Sequence, residues 1–137
     1  MKKRIIIFGS TGSIGKSLIK ILEKDKKNFE IALLTVNKNI KELSKQVIKF
    51  NVRNIIITDQ RNFLIFKKKF KNKKMNIYND FKLLDKILMK KKIYYTMNAI
   101  SGLKGLNPTL KVIKFTKNIA IANKESIICG WPLIKTQ

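Results

Sequence analysis

Phe8-Gly9-Ser10-Thr11-Gly12-Ser13-Ile14-Gly15 decides the fold of this chain. The segment follows an apolar run, Ile5-Ile6-Ile7-Phe8, and opens a helical spacing of Ile14, Leu18, Ile21 and Leu22. The order is strand, glycine-rich turn, helix. Glycines three residues apart let the backbone turn tightly and come close to a phosphate. The helix N-terminus then offers free N–H groups and a partial positive charge to the anion. The pattern is Gly-x-x-Gly-x-x-Gly, a variant of the dinucleotide turn Gly-x-Gly-x-x-Gly. Gly15-Lys16-Ser17 competes with it as the end of a P-loop, and Ile55-Ile56-Ile57-Thr58-Asp59 offers a strand that could hold magnesium. The P-loop spacing fails, because its first glycine falls on Ser10 and a loop counted from Gly9 is one residue too long. A turn that binds nothing is the third reading, and it leaves three entropically costly glycines without a purpose.

Outward from this turn, strand and helix patterns alternate. Strands are expected over Arg4–Phe8, Phe29–Thr35, Asn54–Ile57, Met75–Tyr78, Ile93–Ala99 and Ile119–Ala122. Helical spacing covers Ile14–Lys24 and Ile40–Phe50, then a segment from a cap at Asp59 to Phe70. A further helix is expected from a cap at Asn79 or Asp80 through Met89, and another includes Thr109–Phe115, with Pro108 in its first turn. This rhythm predicts an α/β fold: one Rossmann-like, doubly wound, mostly parallel sheet with helices on both faces, spanning 1–137 as a single domain.

The net charge of +23 invites a nucleic-acid reading. However, Arg4, Arg53 and Arg61 are the only arginines, and base readers depend on the bidentate guanidinium fork. Lysine, isoleucine and asparagine make up 64 of the 137 residues, which a bias toward A/T-rich codons explains. The lysines are spread over every expected surface, so no specific nucleic-acid partner is expected, only salt-sensitive attraction to polyanions. No apolar run reaches membrane-spanning length. Met1-Lys2-Lys3-Arg4 leads straight into a strand without a signal sequence, and a cytoplasmic location is expected. Cys129 is the only cysteine and there is no histidine, so neither a disulfide nor an activated thiol is expected.

The end of the second strand bears on cofactor choice. An NAD-preferring fold carries a carboxylate there, about 20 residues past the turn, for the ribose 2′-hydroxyl. Here the stretch is Thr35-Val36-Asn37-Lys38-Asn39, with no acid and one cation, which favours NADP. In so lysine-rich a chain the missing acid weighs more than Lys38 itself. Two small-residue segments follow later strands. Ala122-Asn123-Lys124-Glu125-Ser126 either grips a phosphorylated substrate and a nicotinamide ribose or simply starts a helix capped by Asn123. Asn98-Ala99-Ile100-Ser101-Gly102 either passes close to a cofactor or makes a plain tight turn.

Taken in order, the glycine turn, Asn98–Gly102 with Gly105-Leu106-Asn107-Pro108-Thr109, and Ala122–Ser126 resemble the N-terminal domain of the 1-deoxy-D-xylulose 5-phosphate reductoisomerase family. The resemblance spans essentially the whole chain. It implies an NADPH-binding domain of an enzyme of the non-mevalonate isoprenoid pathway, which rearranges deoxyxylulose phosphate and reduces the resulting aldehyde to methylerythritol phosphate. Carried over, Thr11, Gly12, Ser13 and Ile14 hold the pyrophosphate region, and Lys38 and Asn39 meet the 2′-phosphate side. Asn37 stands where a small residue is expected. Asn123 and Glu125 contact the cofactor near its reactive end, and Lys124 meets the sugar-phosphate substrate.

The resemblance also implies a homodimer and a divalent metal, magnesium or manganese, held by an Asp-Ser-Glu-His segment and further acidic segments that have no counterpart here. The eight carboxylates, from Glu23 to Glu125, are scattered, so no metal ligand and no catalytic residue is assigned. The metal-binding catalytic and C-terminal domains are therefore expected to lie outside these residues. A P-loop-like nucleotide binder, a basic nucleic-acid-binding module and an inert remnant are the rival readings.

Overall fold

The computed structural model describes all 137 residues, Met1–Gln137. Six strands, β1 (Lys3–Phe8), β2 (Phe29–Val36), β3 (Asn54–Ile57), β4 (Asn76–Tyr78), β5 (Ile93–Asn98) and β6 (Thr116–Ile121), form one sheet in the order β4-β3-β2-β1-β5-β6. Every neighbouring pair is parallel. The chain starts mid-sheet, steps outward to β4, then returns to the other side of β1. The switch point therefore lies between β1 and β5, where crevices open beyond the carboxyl ends of strands.

The strands are isoleucine-rich because parallel strands are buried on both faces. Ile5 and Ile7 point to one core with α1 (Ser13–Glu23), α2 (Ile40–Phe50) and α3 (Gln60–Lys69). Ile6 and Phe8 point to the other core with α4 (Leu84–Leu88) and α5 (Leu106–Val112). A register shift between Ile5 and Ile6 against β2 leaves Ile31 and Leu34 on one face and Leu33 on the other. The expected doubly wound sheet with helices on both faces is the observed one.

Three helices start with a side-chain cap. Asn39, Asp59 and Asn123 accept from the N–H groups of Glu42, Asn62 and Ser126 and open α2, α3 and α6 (Lys124–Lys135). Some boundaries differ from expectation. The helix expected from Asn79 or Asp80 begins only at Leu84. Asn79 instead donates back to the Ile57 carbonyl, and Asp80 accepts from the Lys82 N–H in a local turn. Those bonds hold Phe81 edge-on to Phe8, with ring centres 5.5 Å apart. The helix around Pro108 starts at Leu106, which puts the proline in its first turn as expected, and it ends in a 3-10 turn over Ile113–Phe115. The last strand is Thr116–Ile121 and not Ile119–Ala122.

Candidate functional site

The turn after β1 is clamped between its two neighbouring strands. The Gly9 N–H donates to both the backbone carbonyl and the hydroxyl of Thr35 at the end of β2, and the Ser10 N–H joins it on the same carbonyl. On the other side, the Ala99 N–H donates to the Phe8 carbonyl beyond β5. This clamp gives the three glycines different tasks. Gly9 has φ +75°, and a Cβ there would stand 2.8 Å from the Ala99 carbonyl oxygen. Gly15 lies inside α1, where a Cβ would overlap the Gly9 carbonyl oxygen. Both are required by the protein's own packing. Gly12 is exposed, and a Cβ there would meet only the Gly9 oxygen at 3.6 Å, an ordinary contact. Only Gly12 is free to be a glycine for something outside the chain.

Gly12 is also the N-cap of α1 and supplies no side chain to it. The N–H groups of Thr11, Ser13, Ile14 and Gly15 have no acceptor within the chain. The other long helices close their first turn with Asn or Asp, whereas α1 leaves its first turn open toward a crevice. Such an end attracts an anion through donors and dipole together.

Two lobes meet at this point and share Gly12, Ala99, Ile100 and Ser101. The first, about 520 Å³, runs over β2 and β3 past Val36, Asn37 and Thr58, with Phe81 as an aromatic wall and Lys104 as a cation. The second, about 420 Å³, runs over β5 and β6 past Ser13, Ile14, Gly102, Asn123, Lys124 and Glu125. One crevice thus crosses the switch point, with the open helix end at its middle.

Among the anticipated residues, Thr11, Gly12, Ser13, Ile14, Asn37, Asn123, Lys124 and Glu125 all line the crevice. Asn37 accepts from the Thr58 hydroxyl at 3.2 Å, which fixes it beside the rim. Lys38 and Asn39 are exposed next to it but do not line the lobes, and the Asn39 carbonyl oxygen is occupied as the α2 cap. Lys38 makes no ion pair. Its charge reaches Asp59, whose carboxyl is held below the usual carboxylate range by the Asn62 N–H, by the Asn62 side-chain amide and, more weakly, by Lys38 and Arg61. The carboxylate form that caps α3 therefore persists to lower pH than in an ordinary aspartate.

Asn123 also braces the site. Its amide donates to the carbonyls of Ile100 and Gly102, and its oxygen accepts from the Ser126 N–H. It therefore braces the Ala99–Gly102 turn while lining the second lobe. Asn98, fully buried, does the same from β5. Its amide donates to the Gly105 carbonyl at 2.7 Å and the Thr109 hydroxyl at 2.6 Å, and its oxygen accepts from the Ile100 N–H. A Cβ on Gly105 would collide with the Asn123 amide, 2.5 Å away. The later motifs thus form one polar knot that shapes the crevice wall. Sequence reasoning missed Phe81, Thr58 and Lys104, because their approach depends on the loop after β4 and the 3-10 turn Leu103–Gly105.

The P-loop reading fails on geometry. Gly15 packs against its own turn, and the Ser17 hydroxyl donates to the Ser13 carbonyl at 2.9 Å. Asp59 is committed to α3. Nowhere do three or more acidic, cysteine or histidine side chains gather to hold a metal ion. No helix is long and apolar enough to cross a membrane.

Comparison with known proteins agrees with this geometry. A family model described as 1-deoxy-D-xylulose 5-phosphate reductoisomerase matches residues 5–130. The protein of that name from Pelagibacter ubique is 63% identical over 134 residues, covering 97% of this chain and 34% of the relative. The solved structure of the reductoisomerase from Zymomonas mobilis in complex with NADPH superimposes with a TM-score of 0.87 at 28% identity, covering 98% of this chain and 35% of that one. A reductoisomerase in complex with NADPH, fosmidomycin and magnesium gives the same TM-score at 26% identity, covering 98% and 33%. The chain spans about a third of the length of the relatives it matches.

Proposed function

The chain belongs to the 1-deoxy-D-xylulose 5-phosphate reductoisomerase family, and we propose that these residues form the NADPH-binding part of such an enzyme. The observation that carries this reading is the uncapped start of α1, with Gly12 open to the crevice and unpaired N–H groups on either side of it. A dinucleotide has the shape for this crevice. Thr11–Ile14 would hold its pyrophosphate at the centre, the lobe over β2 and β3 its adenosine half, and the lobe over β5 and β6 its nicotinamide half. When bound, NADPH supplies the hydride that reduces the rearranged aldehyde to methylerythritol phosphate.

The chain's own residues bind and orient. Ile14, 44% exposed in the first turn of α1, offers apolar surface to the nicotinamide half. Glu125 stands at that end of the crevice, and Lys124 beside it offers an ammonium to the phosphate of deoxyxylulose phosphate. A divalent metal is a different matter. Glu125 is the only carboxylate lining the second lobe, and a hard cation needs several oxygen ligands. These residues do not form a site for such an ion. The 137 residues alone are therefore expected to bind NADPH without oxidising it when deoxyxylulose phosphate and manganese are added. An assay following NADPH oxidation with product mass checks this, and metal-dependent methylerythritol phosphate formation would contradict it.

The absent acid at the end of β2, with Lys38 beside it, favours NADPH over NADH. Thr35-Val36-Asn37-Lys38-Asn39 carries no acid for a ribose 2′-hydroxyl, and the Lys38 ammonium is unpaired at the crevice rim. Lys38→Ala is expected to weaken NADPH by about 1.5–3 kcal/mol, roughly ten- to hundredfold, with little change for NADH. Calorimetric titration of both cofactors reads it. An equal loss for the two would mean that Lys38 acts only through the general field of a basic chain.

A further inference from the structure

We infer that Gln46, a buried residue of α2 that cannot touch the ligand, is a positioning residue that aims the Thr11 N–H into the crevice; this rests on the cofactor reading above. Gln46 is 2% exposed, between Leu43 and Val47 of the core. Its side-chain amide crosses to the glycine turn and donates to the Ser10 carbonyl at 3.0 Å. Its carbonyl oxygen has no partner. An apolar residue would remove that orphaned acceptor but leave the Ser10 carbonyl, which has no other donor, without a partner, so the amide is matched to this one peptide unit.

The geometry of that peptide unit shows what the bond maintains. The Ser10 carbonyl and the Thr11 N–H belong to the same planar trans unit and point in opposite directions. Gln46 holds the carbonyl down into the core, and the Thr11 N–H is thereby turned outward. That N–H has no acceptor in the chain, and Thr11 lines the crevice. Gly9, at φ +75°, and Ser10 are fixed upstream through Thr35, so the Ser10–Thr11 unit is the first in the turn that strand pairing does not hold. Gln46 supplies the missing restraint. It also ties the turn to the helix whose N-terminus carries Asn37, Lys38 and Asn39, so one rigid element serves both ends of the adenosine half.

Gln46→Met keeps the volume and removes both the donor and the orphaned oxygen. It is expected to stay folded and to weaken NADPH and NADH together by about five- to tenfold, the effect of one misaimed donor. Lys38→Ala affects NADPH alone, so the two variants have different signatures. In the ligand-free chain, the Thr11 and Gly12 amide resonances should broaden or split in Gln46→Met while core resonances stay in place. That second readout needs no cofactor, so it tests the strut even if the wild-type chain fails to bind NADPH and the cofactor reading falls. If Gln46→Met does not fold, Gln46→Asn, which keeps the amide but falls short of Ser10, is judged by the same two measurements. Sharp, unshifted Thr11 and Gly12 amides in a folded variant would overturn the proposal. So would unchanged affinities, or a loss confined to NADPH.

Discussion

Gly12→Val is expected to abolish NADPH binding and to leave the domain folded. Its Cβ finds only an ordinary contact on the protein side, 3.6 Å from the Gly9 oxygen, and the backbone there, φ −74° and ψ 173°, is open to any residue. The two γ-carbons have nowhere to go but the crevice, at the point where both lobes meet. There they displace the pyrophosphate from the free N–H groups of α1. Losing several charge-assisted bonds at about 1.5–3 kcal/mol each takes the affinity down by more than about a thousandfold. Circular dichroism and thermal unfolding report the fold, and calorimetry reports the binding. Gly15→Val gives the converse result, loss of the fold itself, because its side chain would have to occupy the place of the Gly9 carbonyl. A folded Gly12→Val chain with wild-type affinity would remove the pyrophosphate from this turn.

Asn98→Leu is expected to destabilise the domain strongly while leaving it able to fold. The leucine fits the volume but strands the Ile100 N–H, and it takes one donor each from the Gly105 carbonyl and the Thr109 hydroxyl, in a site with no exposure at Asn98. Buried groups left without partners make this cost about 3 kcal/mol. For a domain of this size that lowers Tm by about 10 °C. The Ala99–Gly102 turn loosens with it, so the surviving folded chain binds NADPH more weakly. Thermal and urea unfolding measure the first effect, and a Tm within about 2 °C of wild type would mean that the knot is not a structural support.

Much of the fold was legible because the determinants are local. Runs such as Ile5-Ile6-Ile7 and Ile55-Ile56-Ile57 suit strands buried on both faces, and Asn39 and Asp59 sit where a helix cap must. The misread boundaries involve competing side-chain bonds across space. Nothing near Asn79 in sequence reveals that it bonds Ile57 at the end of another strand. The site was legible in outline for the same reason. The glycine turn and the Ala122–Ser126 segment each mark a strand end, and a parallel sheet gathers strand ends. What sequence could not assign was the division of labour. Gly9, Gly12 and Gly15 look equivalent until their surroundings separate the two that pack from the one that faces the crevice. Nor does the sequence show that the Asn123 amide braces the neighbouring turn. Gln46 carries no local signal, since its partner lies 36 residues away in the chain.

The central claim is that the open N-terminus of α1 receives the pyrophosphate of NADPH. Its most direct test is a calorimetric titration of the purified chain with NADPH, NADH and Mg-ATP at about 0.15 M salt, where loose attraction of polyanions to a basic surface is screened. Saturable one-to-one binding of NADPH, with NADH at least about tenfold weaker and Mg-ATP weaker still, is the predicted result. Preferential binding of Mg-ATP, or NADPH binding without saturation, would contradict it.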